Sequence, residues 1–413
     1  MSAAGGQEAA VVTGIGVIAP NGTGTGAYWR AVLAGQPGIA PIRRFDASSY
    51  PVRLAGEVTG FAPEQHVPGR LIAQTDRMTH FALAATDWAL ADAGAADLAG
   101  FDDFDVSAIT ANSSGGFEYG QRELANLWTK GSRTVSAYQS IAWFYAASTG
   151  QISIRHGLRG PCGVVATEQA SGIDATAQAR RVVRSGTRLV VTGGTDASLC
   201  PWGFITQLPT GRLSQSDDPA RAYLPFDAAA GGFIPGEGGA MFVVESETSA
   251  LARGVETIYG EIAGYGATFD PPPGSARPAG LRRAIDIALD DARVAARDVD
   301  VVFADAMGVP ELDAAEARTL TEVFGPRAVP VAVPKTMTGR LYAGGASLDI
   351  ATALLSLRDG VIPPAVNITS PVAGYELDLI LDSPRPEPLR TALVVSRGYG
   401  GFNAALVLRR ARP

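Results

Sequence analysis

The chain has 413 residues, of which 46% are hydrophobic and 18% are charged, so its composition is that of a folded protein with two domains or one large duplicated unit. Its net charge of −7 argues against nucleic-acid binding, and no apolar run approaches the roughly 20 residues that span a bilayer. With few histidines and cysteines and no signal-peptide pattern in residues 1–10, we expect a cytoplasmic protein without a metal site.

Short β-branched runs bounded by glycine recur along the chain, as is typical of strands that are buried on both faces. The predicted strands are 10–16, 106–114, 162–167, 188–194 and 239–246, and then 259–267, 299–306, 331–337, 391–398 and 404–410. Helical patterns lie between them at 78–94, 172–186, 280–294 and 346–360. This alternation predicts an α/β architecture with mainly parallel strands.

The two sets of strands predict a duplication. In each set a strand leads through a turn into an Ala-rich helix of similar length, at 164–179 and at 333–355. We therefore divide the chain into an N-terminal half, 1–255, and a C-terminal half, 256–413. The Pro-rich segment 270–278 is expected to be a surface loop, because proline is excluded from helix interiors and central strands.

The first strand contains a G-x-G pattern that resembles part of a dinucleotide-binding fingerprint. Gly14 and Gly16 supply the glycines, and Ala19 fits the last position. However, Pro20 stands where the helix should run, and no acidic residue ends a second strand about 20 residues further on. A tight exit from the strand is the better explanation of these glycines.

Three arginines, Arg180, Arg181 and Arg184, lie at the end of a predicted helix, where cations complement the helix dipole. The simpler interpretation is a solvated helix face. The more specific one is a surface that docks an acidic carrier protein. The sequence leaves both open.

Gln169 lies where a strand turns into a helix, which is a common position for a catalytic nucleophile. A carboxamide is not a nucleophile near neutral pH, so covalent catalysis at this turn is excluded. Two roles remain for Gln169. It is either a hydrogen-bonded turn residue or a donor to a thioester carbonyl, which would suit a decarboxylation in which the oxygen gains charge.

Several long motifs resemble the condensing-enzyme, or thiolase-like, superfamily over essentially the whole chain. The superfamily motifs are VVTGIGVIAPNG (11–22), PFDAAAGGFIPGEGGAMFVVE (225–245), VPKTMTGR (333–340) and GYGGFNAALVL (398–408). Three further segments are similar to chain-length factors, the ketosynthase beta subunits of bacterial type II aromatic polyketide synthases. They are WFYAASTGQISIRHGLRGP (143–161), TEQASG (167–172) and VVFADAMGVPELDAAEA (301–317). The resemblance implies a thiolase-like fold, with two duplicated βα halves in a layered αβαβα core.

The same resemblance implies what stands at each catalytic position. Gln169 replaces the acyl-accepting cysteine of ketosynthases, whereas Asp305 and Arg340 replace their two decarboxylating histidines. Lys335 is retained. We therefore expect no condensation on this chain alone. Because a buried charge needs a partner, we also expect Asp305 and Arg340 to form an ion pair near Lys335.

The resemblance further implies a heterodimer with a catalytic ketosynthase alpha subunit and a tunnel that holds the growing polyketide. Phe117, Gly120 and Leu124 match the positions that limit its length and share one helix face, and we expect Ile141 to line the same space. Ordinary interface core would give the same spacing. The small Gly120 and Leu124 favour a longer product. Substrates would arrive on the phosphopantetheine of an acyl carrier protein, with no further cofactor.

Two functions remain compatible with the sequence. In the first, the chain is a non-catalytic partner that shapes the tunnel and stabilises the alpha subunit. In the second, Gln169 helps to convert malonyl-carrier to acetyl-carrier protein, so that the chain is an initiation enzyme. A self-sufficient homodimeric condensing enzyme is contradicted by Gln169 and by the missing histidines.

Overall fold

The computed structural model describes residues 8–272 and 274–411. Most of the segment 1–10, in which we expect no signal peptide, lies outside the described residues, as does position 273 of the predicted loop 270–278. The described residues of that loop form neither helix nor strand. Within the two described ranges, no helix is long and apolar enough to cross a membrane.

Strands and helices alternate along most of the chain. The strands are β1 (Ala10–Ala19), β2 (Gly22–Thr23), β3 (Ile39–Pro41), β4 (Leu54–Gly56), β5 (Val106–Ala111), β6 (Gly163–Val165), β7 (Leu189–Asp196), β8 (Gly238–Ser246), β9 (Gly260–Phe269), β10 (Val301–Phe303), β11 (Pro330–Ala332), β12 (Val361–Ile362), β13 (Asp378–Leu379), β14 (Arg385–Pro386), β15 (Thr391–Gly398) and β16 (Phe402–Arg409). The helices are α1 (Thr25–Leu33), α2 (Gly69–Gln74), α3 (Arg77–Asp92), α4 (Phe117–Lys130), α5 (Gln139–Ala142), α6 (Ala147–His156), α7 (Ser171–Arg184), α8 (Pro201–Gln207), α9 (Glu247–Arg253), α10 (Leu281–Ala292), α11 (Pro310–Phe324) and α12 (Ala343–Asp359).

Two sets of five strands share one topology. The first set lies in the order β6-β5-β7-β8-β1, and the second lies in the order β11-β10-β15-β16-β9. In each set the first three of these strands are parallel, and the remaining pairs are antiparallel. The shared order confirms the predicted duplication. The boundary between 255 and 256 falls between α9 and β9 and stays a prediction.

The expectation of mainly parallel strands is wrong. Parallel neighbours need a crossover connection, usually a helix, but β15 and β16 are joined by residues 399–401 alone. Such a short turn makes its two strands antiparallel. The two sets also meet through an antiparallel contact, in which Val11 and Val12 of β1 lie opposite Glu261 and Gly260 of β9.

Helices complete the predicted five layers. On the outer face of the first set lie α3 and α6, whereas α10 and α11 cover the outer face of the second. Between the sets lie α7 and α12, in the largest cluster of buried apolar residues. Nearly all of α12 is buried, which fits a sequence that is apolar around the whole helix. This central position of α7 and α12 brings their N-termini together near Gln169.

The G-x-G pattern of β1 has a packing role, and a second such pattern in β9 has the same role. Gly14 and Gly16 lie inside β1, where a Cβ atom on either would stand 2.0 Å from a carbonyl oxygen of α3. Gly264 and Gly266 of β9 have the same relation to α10, at 2.2 and 2.1 Å. The interpretation as a tight strand exit is therefore wrong, since the glycines let α3 lie directly on β1 and α10 lie directly on β9.

Replacing Gly16 by alanine is expected to destabilise the protein by about 3 kcal/mol or more, because the added methyl overlaps the backbone of α3. Urea unfolding of the purified chain measures the effect. Gly150→Ala is the matched control: Gly150 lies in α6 with nothing near its missing Cβ, so alanine should stabilise the helix by about 0.5–1 kcal/mol. Equal effects of the two substitutions would contradict this account.

Candidate functional site

Gln169 lies in the turn that joins β6 to α7. The short 3-10 turn Glu168–Ala170 leads directly into the helix. Ser171 Oγ closes the turn, since it accepts a hydrogen bond from Thr167 N at 2.7 Å and donates one to Glu168 O at 2.7 Å. Glu168 has a φ of 55°, which is unfavourable for a residue with a side chain. The sharp strand–turn–helix platform predicted from the sequence is thus present.

The Gln169 side chain is buried, with 4% of its surface exposed. Its backbone oxygen accepts a hydrogen bond from Ser396 Oγ at 3.0 Å, which fixes the turn against β15. Its Oε1 atom lies 3.3 Å from the point where a Cβ on Gly345 would stand, so a side chain at position 345 of α12 would crowd the carboxamide. The platform therefore holds a carboxamide rather than a nucleophile in the interior of the protein.

Asp305 and Arg340 form the predicted ion pair. Arg340 Nη2 donates to Asp305 Oδ1 at 2.7 Å, and the two side chains are 1% and 2% exposed. Arg340 Nη1 donates to the backbone oxygen of Asp305, and Arg397 N donates to Asp305 Oδ1 at 3.0 Å. Burial alone would raise the pKa of Asp305, but the charges of Arg340 and Lys335 outweigh it and hold the pKa below its usual value. Asp305 is therefore ionised in the folded protein.

Lys335 lies beside this pair but binds a different carboxylate. Its Nζ is 2.8 Å from Asp349 on α12, and it donates to the backbone oxygens of Ala304 at 2.5 Å and of Asp305 at 3.1 Å. Lys335 and Arg340 both lie in the segment that follows β11. They hold the segment that follows β10 through its backbone oxygens. Each of the two buried pairs consists of one cation and one carboxylate, so their charges cancel within the pair.

A small cavity lies among these residues. Gln169, Asp305, Lys335, Arg340 and Ser396 are among its lining residues, and its volume is about 10 Å³. A cavity of this size holds about one water molecule. Gln169, at the position of the turn where a nucleophile would stand, is not a nucleophile, and a cavity of this volume has no room for an acyl thioester.

The four predicted tunnel residues lie together at one side of the molecule. Phe117, Gly120 and Leu124 are on α4, and Ile141 is on the neighbouring α5. Gly120 is buried and Phe117 is half-buried, whereas Leu124 and Ile141 are 40% and 44% exposed. Leu124 and Ile141 are therefore not enclosed by residues 8–272 and 274–411, and a role as interface or as tunnel wall requires a partner surface.

Trp202 of α8 packs against this face of α4, and sequence reasoning missed it. Its ring stacks on Phe117 with 5.0 Å between ring centroids. A Cβ on Gly120 would lie 2.7 Å from the Trp202 ring. The small size of Gly120 therefore does not leave empty space, and the expectation of a longer product that rested on it loses its physical basis. No periodic signal in the sequence connects Trp202 with α4.

Leu124 and Ile141 belong to a larger surface, called here the aromatic surface. It comprises the exposed large side chains of α4 and of the adjoining segment 138–145, namely Leu124, Trp128, Tyr138, Ile141, Trp143, Phe144 and Tyr145. Trp128 is 82% exposed. Monomeric proteins rarely expose so many large apolar side chains in one place, so this surface has the character of a protein interface.

The three arginines at the end of α7 do not form a common surface. Arg180 is buried and pairs with Asp291 of α10, so the solvated-face interpretation is wrong for this residue. Arg181 Nε donates to Gln178 Oε1 at 2.8 Å, and Arg184 Nε donates to a backbone oxygen at 3.3 Å. Arg180 ties α7 to α10 and is not available to a carrier protein.

Comparison with known proteins places this geometry in a family. The model of the beta-ketoacyl synthase N-terminal domain matches residues 7–250, and that of the C-terminal domain matches residues 259–369. The chain is 60% identical to the tetracenomycin polyketide synthase ketoacyl synthase beta subunit of Streptomyces glaucescens, over 97% of this chain and 98% of the relative. It is 56% identical to the actinorhodin polyketide putative beta-ketoacyl synthase 2 of Streptomyces coelicolor, over 98% and 99%.

A solved structure shows the same architecture. The ishigamide ketosynthase/chain length factor superposes with a TM-score of 0.90 at 27% identity, over 98% of this chain and 100% of that chain. Sequence and fold agree over nearly the full length. The chain therefore belongs to the beta-ketoacyl synthase family, and within it to the ketosynthase beta subunits of polyketide synthases.

Proposed function

We propose that this protein is a chain-length factor: a subunit that does not condense, pairs with a catalytic ketosynthase alpha subunit and sets the number of malonyl extensions. The filled acyl site carries the proposal. Gln169 stands on the nucleophile platform, and the Asp305–Arg340 pair leaves a cavity of about 10 Å³ where a condensing enzyme needs room for its substrate. A fold retained around a closed site indicates a role in assembly and shape.

The relatives support this proposal by name. The tetracenomycin relative is a ketoacyl synthase beta subunit, and the ishigamide structure is a ketosynthase/chain length factor. The aromatic surface around α4 supplies a place for the alpha subunit, since obligate interfaces are large and apolar. The heterodimer would act in the cytoplasm on chains carried by the phosphopantetheine of an acyl carrier protein, without a cofactor of its own.

The tunnel wall is proposed to lie on the same face. Leu124 and Ile141 belong to the aromatic surface, and Phe117 and Gly120 lie on the same helix as Leu124, so a partner that covers the surface would enclose all four. A polyketide that grows along this interface would then meet Trp202, whose ring occupies the space beside Gly120. The length limit would depend on how much of that space these side chains fill.

Reconstitution tests the proposal. The chain is combined with its cognate alpha subunit and carrier protein, malonyl units are supplied, and the product is weighed by mass spectrometry. We expect a polyketide only when both subunits are present. Product from this chain alone would show that another residue carries out the condensation. It would contradict the interpretation that Gln169 replaces the catalytic nucleophile.

A second candidate function is priming, in which Gln169 assists decarboxylation of a malonyl thioester. The observation in its favour is that the Gln169 side chain lines the cavity beside Lys335 and Arg340. The small volume opposes it, because a thioester would have to displace these side chains. Gln169→Ala separates the two: we expect unchanged product length and little loss of product. A loss of priming that added acetyl-carrier protein restores, again with unchanged length, would favour the second function.

A further inference from the structure

We infer that Gln121 is a specificity-determining positioning residue, which holds Trp202 against α4 and thereby sets the space available to the polyketide. This inference rests on the proposed function, because it concerns the same tunnel wall. A polar side chain thus sets the position of an aromatic side chain that is distant from it in the sequence.

The backbone of Trp202 is fixed by a hydrogen bond that it donates to α4. Trp202 N donates to Gln121 Oε1 at 2.6 Å. Trp202 lies in the first turn of α8, where backbone N–H groups have no partner within the helix. The next such group, Gly203 N, is taken by Cys200 Sγ at 3.5 Å, within the same segment. The Gln121 contact, by contrast, ties α8 to a different helix.

The ring of Trp202 is fixed by the same helix. Phe117 stacks on one face at a centroid distance of 5.0 Å, and Gly120 leaves the space that the ring enters. Phe117, Gly120 and Gln121 all belong to α4. One helix therefore holds both the backbone and the ring of Trp202. Loss of the backbone contact would let the first turn of α8, and the ring with it, move away from Gly120.

The chemistry of position 121 makes a selective test available. The contact needs an acceptor of about this length, so glutamate can replace glutamine whereas leucine, of similar size, cannot. Gln178 of α7 provides a matched control, because its Oε1 accepts from Arg181 on another part of the surface. Gln178→Leu therefore makes the same chemical change without touching α8.

The experiment compares Gln121→Leu, Gln121→Glu and Gln178→Leu in the reconstituted heterodimer with carrier protein. Hydrogen exchange read by mass spectrometry follows the Trp202 amide, and product mass follows chain length. We expect Gln121→Leu to speed exchange of this amide by about fivefold or more and to shift product toward longer and more heterogeneous chains. Gln121→Glu and Gln178→Leu should match the unsubstituted protein in both readouts. If the leucine variant does not fold, Gln121→Met carries the same test.

Two results would overturn the inference while leaving the proposed function intact. One is an amide that stays protected in Gln121→Leu. The other is a freed amide with an unchanged product, in a protein whose product does change on Trp202→Ala. If neither Trp202→Ala nor Gly120→Phe alters the product, the tunnel wall itself is misplaced, and the inference fails together with that part of the proposed function.

Discussion

Arg340→Ala is expected to lower the free energy of unfolding by about 3–5 kcal/mol, because it leaves the buried carboxylate of Asp305 without its cation. Urea unfolding of the purified chain, followed by circular dichroism at neutral pH, measures the loss. The stabilisation is present at this pH, since the pKa of Asp305 is lower in the folded state than in the unfolded state. It should disappear as the pH falls through that lowered value.

Two further variants define the cause of this loss. Arg159→Ala breaks an exposed ion pair with Asp103 and should cost less than about 1 kcal/mol. The double variant Asp305→Leu, Arg340→Met removes both buried charges and should recover part of the stability. Recovery should be incomplete, because Arg397 N loses its acceptor. An Arg340→Ala protein as stable as Arg159→Ala would show that the buried pair is not needed for the fold.

Trp202→Ala is expected to lengthen the polyketide, because it empties the space beside Gly120 that the indole fills. Gly120→Phe is expected to shorten it while turnover stays measurable, since the new ring must share that space with Trp202. Product mass from the reconstituted heterodimer and carrier protein reports both changes. Trp202→Phe, which keeps a smaller ring, should give an intermediate result.

Trp202→Ala enlarges the space beside Gly120 and Gly120→Phe reduces it, so the two variants should change the product length in opposite directions. A product of unchanged length in both variants would remove α4 and α8 from the tunnel. A shorter product from Trp202→Ala would also contradict the account, because it would mean that the ring holds the tunnel open. Association of the subunits, measured by size-exclusion chromatography, separates an effect on length from a loss of the complex.

Much of the fold could be predicted because hydrophobic periodicity is a local property. The pattern at 172–186 predicts the helix observed at Ser171–Arg184 closely. The strand predicted at 299–306 is observed only at Val301–Phe303, because carboxylates of α11 draw the following segment into a loop. Glu316 accepts from Asp305 N and Ala306 N, at 2.7 and 2.9 Å. Such a tertiary contact leaves no periodic trace in the sequence.

The candidate site, like the fold, could be predicted from the sequence only in part. The positions of Gln169, Asp305 and Arg340 could be named because the surrounding motifs are long and specific, and the charge pair followed from the cost of burying a lone charge. The position of Trp202 could not be predicted, since it depends on how α8 docks on α4. Arg180 is a similar case, because its partner on α10 belongs to the other half of the chain.

The buried Asp305–Arg340 pair also has an evolutionary consequence. Replacing Arg340 alone by a neutral side chain would leave the Asp305 carboxylate without its cation, and replacing Asp305 alone would leave Arg340 without its carboxylate, in an interior that admits about one water molecule. Each single substitution therefore loses stability, so the two positions are expected to change together. The buried charges thus couple the evolution of positions 305 and 340.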